Sequence, residues 1–228
     1  MEFNTKLLHG KAVESYPHGS TLPPVIQSNA YRYDSFEALE RVFSHKSMGY
    51  AYSRIGNPTV AAFERRMNEL EGGAGAVATA SGMAAISQGL LTFLSPGDEI
   101  IAANGLYGGT IELFEDLEKL GIHTRFVSRL EPGQIERAFT DHTRCIFGEL
   151  ISNPALQVLD VPAVSEFAHA HSVPLLVDST TATPYIASPI SLGADIVLHS
   201  SSKYISGSGD AISGVIIDSG RFAWSADR

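Results

Sequence analysis

The sequence has very little cysteine and a deficit of positive charge. Only one of its 228 residues is cysteine, so no disulfide can form within the chain, which is typical of a reducing compartment and predicts a cytoplasmic protein. Lysine and arginine number 16 against 25 aspartates and glutamates, which gives a formal net charge of -9. Because nucleic acids and anionic membranes attract basic surfaces, this balance argues against both as partners.

Long apolar segments are absent as well. No uninterrupted apolar run is long enough to span a bilayer, and residues 1–20 lack the apolar segment of a signal peptide. Hydrophobic residues make up 44% and charged residues 18% of the chain, which is ordinary for a globular protein with a buried core and argues against disorder.

From about residue 74 the sequence alternates between strand-like and helix-like segments. Two of the strand-like segments, VPLLV and ADIVL, are continuously apolar, as is typical of strands buried on both faces of a sheet. The pattern predicts a seven-stranded, mostly parallel α/β sheet flanked by helices, in a domain over residues 61–228. The predicted strands are Ala76–Ala80, Glu99–Ala103, His123–Ser128, Thr143–Leu150, Val173–Val177, Ala194–Leu198 and Ile212–Ile217. The predicted helices are Met83–Leu94, Ile111–Leu120, Gly133–Phe139 and Val161–His171.

Residues 1–60 form a different region, with few periodic runs and five tyrosines. Only Ser35–Phe43 has a helical pattern, with Ser35 as the expected N-cap. An irregular arm of this kind is typical of an assembly interface, but it is also compatible with an ordinary N-terminal extension.

Ligands of open α/β sheets bind at the carboxyl ends of the strands, so the residues that follow each strand are the candidates. Ser81-Gly82-Met83 opens a helix after the first strand, where free amides favour an anion such as phosphate and Gly82 allows close approach. The second strand leads into residues 104–110, a glycine-rich loop that holds Tyr107. This loop is neither a dinucleotide fingerprint nor a P-loop.

Three more polar side chains follow later strands. Asn153 comes before a proline, which on its own is typical of a turn. Asp178 ends a buried strand and needs a partner, because an unpaired buried charge is costly. Lys203 follows the sixth strand and, taken alone, is most simply a surface lysine.

Taken together, these residues have the composition of a pyridoxal phosphate site. Such a site needs a lysine that forms a Schiff base, an acidic partner for the pyridine nitrogen and a phosphate cradle. Lys203 and Asp178 fit the first two requirements, and the aromatic face of Tyr107 suits stacking on the cofactor ring. The candidates for the phosphate cradle are Gly82, Met83, Ser200 and Ser202.

The chain resembles the Cys/Met-metabolism family of pyridoxal-phosphate enzymes, which includes cystathionine γ-synthase and γ-lyase, methionine γ-lyase and O-acetylhomoserine sulfhydrylase. The fold of that family resembles that of the aspartate aminotransferases (fold type I). The matching stretches run through the whole chain: YAYSRIGNPT from Tyr50, ASGMAA from Ala80, LYGGT from Leu106, ELISNP from Glu149, DSTTATP from Asp178 and HSSSKY from His199.

The resemblance implies a role for each matching residue. Lys203 would carry the cofactor and shuttle protons, Asp178 would pair with the pyridine nitrogen, and Tyr107 would stack on the ring and touch the substrate. Gly82, Met83, Ser200 and Ser202 would bind the phosphate within one subunit. Asn153 would lie near the phenolic oxygen and Thr180 beside the ring. Tyr52 and Arg54 would reach the phosphate of a neighbouring subunit, in a homodimer or homotetramer with shared active sites.

The sequence also departs from the family pattern. Ser202 stands where threonine is usual, Ser179 replaces a common asparagine, and residues 206–210 lack a usual histidine. Family members continue into a smaller C-terminal domain with an arginine that binds the substrate carboxylate. We expect that domain to be absent here, and no arginine of this sequence is assigned that role.

The segment SGVIIDSGRFAW from Ser213 resembles O-acetylhomoserine sulfhydrylases, whereas ASGMAA is closer to the lyases. The favoured reaction is γ-replacement of O-acetyl-L-homoserine with a sulfur donor, giving homocysteine in methionine biosynthesis. The alternatives are a methionine or cystathionine γ-lyase, a cystathionine γ-synthase, or an inactive truncated chain that acts as an assembly subunit.

Other side chains are interpreted as structural. His169 and His171 are two residues apart and point in different directions on a helix, so no metal site is expected. Cys145 lies inside an apolar strand and is predicted to be a buried packing thiol. Trp224 is expected to pack rather than bind ligand. Glu149 could orient Asn153 or face solvent.

Overall fold

The computed structural model describes residues 2–10 and 16–224. The chain divides into two compact units, Met1–Arg66 and Met67–Arg228. The last four residues of the predicted domain over 61–228, residues 225–228, lie outside the described part of the chain. The interpretation of residues 1–60 as an arm that contacts a partner subunit stays a prediction.

The first unit contains short helices joined by irregular chain. Helix α1 covers Phe3–His9, a 3₁₀ turn covers Pro17–Gly19, and helix α2 covers Phe36–Phe43. The Oγ of Ser35 accepts the Ala38 N–H at 3.1 Å, which confirms the predicted N-cap of α2.

The expectation that this region holds only one helix is wrong. Besides α1, a 14-residue helix, α3, covers Pro58–Glu71. Its start carries a recognisable signal: Pro58 occupies the first helical turn, and the Oδ1 of Asn57 accepts the Thr59 N–H at 2.9 Å. The apolar residues of α3 recur at 60, 63, 67 and 70, a helical spacing that the sequence analysis passed over.

The second unit is built on a seven-stranded sheet. The strand order is β1-β7-β6-β5-β4-β2-β3, and β7 runs antiparallel to both of its neighbours while the other pairs are parallel. The predicted α/β class and the number of strands are confirmed. The strands are β1 Gly75–Thr79, β2 Glu99–Ala103, β3 His123–Val127, β4 Thr143–Glu149, β5 Leu175–Asp178, β6 Ile196–His199 and β7 Gly214–Asp218.

Helices connect successive strands of the sheet from β1 to β6. The four predicted helices are present with shifted ends, and two short helices, α8 and α9, were not predicted. The helices are α4 Gly82–Leu91, α5 Gly108–Glu118, α6 Pro132–Ala138, α7 Val161–Ala170, α8 Thr183–Ile186 and α9 Pro189–Leu192.

One cluster of the core lies between the sheet and helices α4 and α5. Phe114 of α5 meets Phe147 of β4 edge to face with 5.3 Å between ring centroids, and both side chains are fully buried. Burying a side chain of this size contributes about 1.5–3 kcal/mol. Cys145 is also fully buried, which confirms the predicted packing thiol, and burial raises its pKa.

The register of the strands brings their carboxyl ends to one side of the sheet, the carboxyl edge. Glu149 of β4 pairs with Asp178 of β5, and Asp178 pairs with Leu198 of β6. Because β7 is antiparallel to both β6 and β1, strand β1 also ends at this edge. In the described part of the chain, no helix is both long and apolar enough to cross a membrane.

Candidate active site

The ends of β5 and β6 are joined by a chain of hydrogen bonds. Asp178, the last residue of β5, accepts the Thr180 N–H on its Oδ1 at 2.9 Å. The Oγ1 of Thr180 in turn accepts the Ser200 N–H, just after β6, at 2.7 Å. Three residues that the sequence analysis singled out are therefore contiguous, and the position of each is fixed by the next.

Asp178 is a partly buried carboxylate at the end of β5. Within residues 2–10 and 16–224 it forms no ion pair with lysine or arginine. Burial raises the pKa of Asp178, an effect opposed by the hydrogen bonds from Thr180 and by the nearby His199. A group that is costly to ionise here would gain from a cationic partner, such as a protonated pyridine nitrogen.

Helix α4 begins beside this chain of hydrogen bonds and supplies free amides. The Oγ of its N-cap, Ser81, accepts the Ala84 N–H at 3.0 Å, and the Ala85 N–H bonds the Ser81 carbonyl. The amides of Gly82 and Met83 are left without an intrahelical acceptor, as at any helix start. Two amides at the positive end of a helix are suited to an anion.

Gly82 brings this helix start against the turn after β6. A Cβ added to Gly82 would stand 2.4 Å from the Cβ of Ser200 and 2.8 Å from its Cα, so only glycine fits. Amides and a serine hydroxyl therefore converge in a cradle that a methyl group would fill. The donors that meet here suit a phosphate, and the roles of Gly82, Met83 and Ser200 in binding one stay a prediction.

Lys203 and Ser202 lie in the turns that follow β6. The side chain of Lys203 is exposed, and its backbone N–H donates to the Ser200 carbonyl at 3.2 Å. The Ser202 hydroxyl donates to the Ser213 carbonyl at 3.0 Å and accepts the Ser213 N–H at 2.9 Å. The hydroxyl proton of Ser202 is thus already used, and binding a phosphate would exchange one hydrogen bond for another.

Tyr107 lies at the start of α5, beyond the end of β2. A Cβ added to Gly109 would stand 2.8 Å from the Cε1 of Tyr107 and 3.5 Å from the Sδ of Met83, so both side chains lie close to this glycine. The Tyr107 side chain remains 48% exposed. A large part of its surface is therefore available to a planar ligand.

Glu149 links the Tyr107 loop to the turn after β4. Its Oε1 accepts the Tyr107 N–H at 2.6 Å, and its Oε2 accepts the Asn153 N–H at 2.8 Å. The residue is only 8% exposed, so the interpretation that it faces solvent is wrong; the one that it orients Asn153 stays a prediction, which the hydrogen bond to the Asn153 amide supports. Burial raises the pKa of Glu149 to about 7, although the hydrogen bonds from the Tyr107 and Asn153 amides oppose that rise.

The sequence analysis missed a buried pair of a histidine and a glutamate. His199, the last residue of β6, makes a 2.7 Å hydrogen bond between its Nε2 and the Oε1 of Glu71, at the end of α3. Both side chains are completely buried. The two residues lie far apart in the sequence, and neither shows a pattern that points to the other, so no signal could have paired them.

Tyr52 and Arg54 belong to the other compact unit. There the guanidinium carbon of Arg54 lies 5.6 Å from the ring centroid of Tyr52, a cation–π contact, and both side chains are exposed. Their proposed action on a neighbouring subunit stays a prediction. Across the described residues, no group of three or more His, Cys, Asp or Glu side chains could hold a metal ion.

Comparisons with known proteins agree with this geometry. Residues 4–227 match the family model described as Cys/Met metabolism PLP-dependent enzyme. The chain is 42% identical to an O-acetyl-L-homoserine sulfhydrylase of Corynebacterium glutamicum, over 99% of this chain and 52% of that protein. It is 39% identical to an L-methionine gamma-lyase of Pseudomonas putida, over 95% of this chain and 55% of that protein.

A solved structure gives the same result. A putative O-acetylhomoserine (thiol)-lyase from Campylobacter jejuni, which carries a pyridoxyl-lysine monophosphate, superposes with a TM-score of 0.91. The match has 32% identity and covers 97% of this chain and 55% of that one. The chain thus spans about half the length of the relatives it matches. With a family model that covers nearly all of its residues, it belongs to the pyridoxal-phosphate-dependent enzymes of cysteine and methionine metabolism.

Proposed function

We propose that the whole protein catalyses γ-replacement of O-acetyl-L-homoserine by a sulfur nucleophile, forming homocysteine in methionine biosynthesis in the cytoplasm. The support is that two relatives, which are 42% and 40% identical to this chain, are O-acetyl-L-homoserine sulfhydrylases. The SGVIIDSGRFAW segment, which contains β7 and continues beyond it, adds to that support.

The observation that carries the proposal is Asp178, which has no lysine or arginine partner among the described residues, beside the Gly82–Ser200 cradle. Bound pyridoxal phosphate supplies an electron sink for negative charge at the substrate's α-carbon. Asp178 would hold the pyridine nitrogen protonated, since a buried carboxylate gains from a charge-assisted hydrogen bond. The cradle and the carboxylate are joined through Thr180, which would fix the distance between the phosphate and the ring nitrogen.

The phosphate would be held by the amides of Gly82 and Met83 and the hydroxyls of Ser200 and Ser202. Tyr52 and Arg54 of a second copy of the chain would complete this site in a homodimer or homotetramer. A guanidinium offers planar donors that match phosphate oxygens. The exposed position of both side chains within their own unit is compatible with such a contact.

The remaining residues would act on the ring and on the substrate. Lys203 would hold the cofactor covalently through its amine and, once the substrate amine displaces it, would remove the α-proton. Tyr107 would stack on the ring and assist the departure of acetate as an acid. Asn153 would lie near the phenolic oxygen of the cofactor, and Thr180 beside the ring.

Borohydride reduction tests the assignment of the cofactor lysine. The chain is incubated with pyridoxal phosphate, reduced, digested and mapped by mass spectrometry. We expect the pyridoxyl group on Lys203, and we expect Lys203→Ala to lose the yellow absorption and the label. Labelling of another lysine at comparable yield would contradict the assignment.

The reaction is tested by homocysteine formation from O-acetyl-L-homoserine and sulfide. L-methionine is the competing substrate, because lyase relatives are nearly as similar as the sulfhydrylases. Faster release of methanethiol from methionine than formation of homocysteine would favour a γ-lyase. In that case the same residues act and water completes the reaction.

A further inference from the structure

We propose that Glu149 is a positioning residue that clamps the Tyr107 loop to the Asn153 turn with a single carboxylate. The consequence for the cofactor rests on the proposed function, in which Tyr107 covers the ring and Asn153 reaches its phenolic oxygen. The clamp itself is a property of the folded chain and is testable without any cofactor.

The backbone amides of Tyr107 and Asn153 each require a hydrogen-bond acceptor. Glu149 ends β4, which lies between β5 and β2, and Tyr107 follows the end of β2. One carboxylate oxygen receives the Tyr107 amide at 2.6 Å and the other receives the Asn153 amide at 2.8 Å. With the residue 92% shielded from solvent, an unmade bond here leaves a buried donor unsatisfied.

A carboxylate is the group that meets this requirement. It accepts on both oxygens and donates on neither, whereas the glutamine side chain has one acceptor and one NH₂ group. Glu149→Gln can therefore satisfy only one amide, and its NH₂ group faces the N–H of the other. The variant keeps the size of the side chain and breaks the link between the two loops.

The charges around Glu149 come from several elements. Asp178 faces it from β5 and raises its pKa. Arg129, Glu131 and Asp160 line a cavity of about 240 Å³ that Glu149 also borders. Arg129 is paired with Glu131 at 2.9 Å. Protonation of Glu149 near neutral pH would weaken both amide bonds together.

NMR of the cofactor-free chain tests the clamp directly. The amide proton shifts of Tyr107 and Asn153 are followed from about pH 3.5 to 8.5, which spans the ordinary pKa of a glutamate as well as the raised one. We expect both to move with one shared midpoint near 7 and to lose that titration in Glu149→Gln. The matched control, Glu131→Gln, removes a charge from the same cavity without touching either amide and should leave both titrations in place.

The wild-type measurement needs no variant, so it stands even if Glu149→Gln folds poorly. Amides that do not titrate, that titrate with separate midpoints, or that keep their titration in Glu149→Gln would overturn the clamp. A melting curve of each variant confirms that the comparison is made on folded protein.

Cofactor binding tests the consequence of the clamp. We expect Glu149→Gln to weaken pyridoxal phosphate binding by about tenfold, the usual scale for loss of an outer positioning contact, and to change the induced circular dichroism. Unchanged affinity and dichroism would overturn the positioning role. If the wild type binds no cofactor while its two amides titrate together, the proposed function fails and the clamp remains.

Discussion

The buried carboxylates at the two edges of the sheet have different hydrogen-bond partners. At the amino edge, Glu99 opens β2 and receives two hydrogen bonds from Arg125, at 2.6 and 2.8 Å, and a third from Thr140. At the carboxyl edge, Glu149 and Asp178 receive hydrogen bonds from backbone amides and have no basic side chain in an ion pair among the described residues.

The difference appears in the pKa values. Arg125 and Thr140 hold the pKa of Glu99 near 2, since hydrogen bonds and charge favour its ionised form. Burial raises the pKa of Glu149 to about 7 and also raises that of Asp178. Ionised Glu99 at the amino edge therefore stabilises the fold, whereas Glu149 and Asp178 at the carboxyl edge are costly to ionise and are available to a ligand or a loop.

Asp195 shows that burial alone does not mark a functional carboxylate. It lies next to the start of β6 at the amino edge, and burial raises its pKa. However, its Oδ2 lies 2.9 Å from the Nε2 of His169 and accepts the Leu175 N–H at 2.8 Å. A hydrogen-bonded side chain that can carry positive charge is what separates Asp195 from Asp178 and Glu149.

The largest expected effect comes from exchanging one carboxylate at each edge. Asp178→Asn should lower turnover by about 10²–10³-fold, because it removes charge from a site where charge develops. Its cofactor-free stability should be unchanged or higher, since asparagine keeps the acceptor for Thr180 and removes a group that burial disfavours when ionised. The measurements are kcat and a thermal melt.

Glu99→Gln is the matched exchange at the other edge and should behave in the opposite way. It should cost about 1–2 kcal/mol of unfolding free energy, a value reduced for the half-exposed Arg125, and leave turnover unchanged. Loss of stability in Asp178→Asn together with retained turnover would break the distinction between the two edges.

A smaller effect is expected from adding one methyl group at the carboxyl edge. Gly82→Ala would force its Cβ to 2.4 Å from the Cβ of Ser200, so helix α4 or the turn after β6 must move. We expect cofactor affinity to fall about tenfold or more, with a stability cost of about 1–3 kcal/mol from overpacking. Equilibrium titration with pyridoxal phosphate measures the first and urea unfolding the second.

The control for this change is Gly133→Ala in α6. A Cβ there meets nothing within 4 Å, so alanine should be neutral or stabilise the chain by roughly 0.5–1 kcal/mol. Equal loss of cofactor affinity in both variants would show that the cradle is not specific to Gly82.

The smallest expected effect is on how stability depends on pH. Because the pKa of Glu99 is lowered in the folded state, its contribution is present above about pH 4.5 and is lost as pH falls toward 2. The pKa of Glu149 is raised, so its contribution is present below about pH 4.5 and is lost as pH rises through 7.

Urea unfolding from about pH 2.5 to 8 measures these contributions as differences from wild type. In Glu149→Gln, the free energy of unfolding should fall less between pH 5 and 7 than it does in wild type, by on the order of 1–2 kcal/mol. Glu99→Gln should instead reduce the loss at the acid end. Parallel curves for wild type and both variants would contradict the lowered pKa of Glu99 and the raised pKa of Glu149.

Much of the sheet could be predicted from the sequence because its central strands are short apolar runs between clear turns. Glu99–Ala103 was predicted with the bounds that the structure has, since Asp98 and Asn104 interrupt the apolar run on either side. Helix α3 was missed although its spacing is helical, because charged residues such as those of FERRMNELE obscure a single buried stripe.

The site was predictable in its parts but not in its connections. Gly82 and Ser200 each follow a strand, and the rule that ligands bind at strand ends was enough to select them. That β7 inserts antiparallel between β1 and β6 cannot be read from local periodicity. The pairing of Glu71 with His199 and the double contact of Glu149 depend on this long-range arrangement.

The single cysteine provides a built-in reporter of local opening. Cys145 is fully buried in β4, the strand that ends at Glu149, and burial keeps it in the unreactive thiol form. A thiol reagent can reach it only when this part of the sheet opens, so the labelling rate under native conditions measures the free energy of that opening. Because the chain has no other thiol, the signal belongs to β4 alone, and slower labelling with cofactor would measure how far a ligand at one edge stabilises the centre of the sheet.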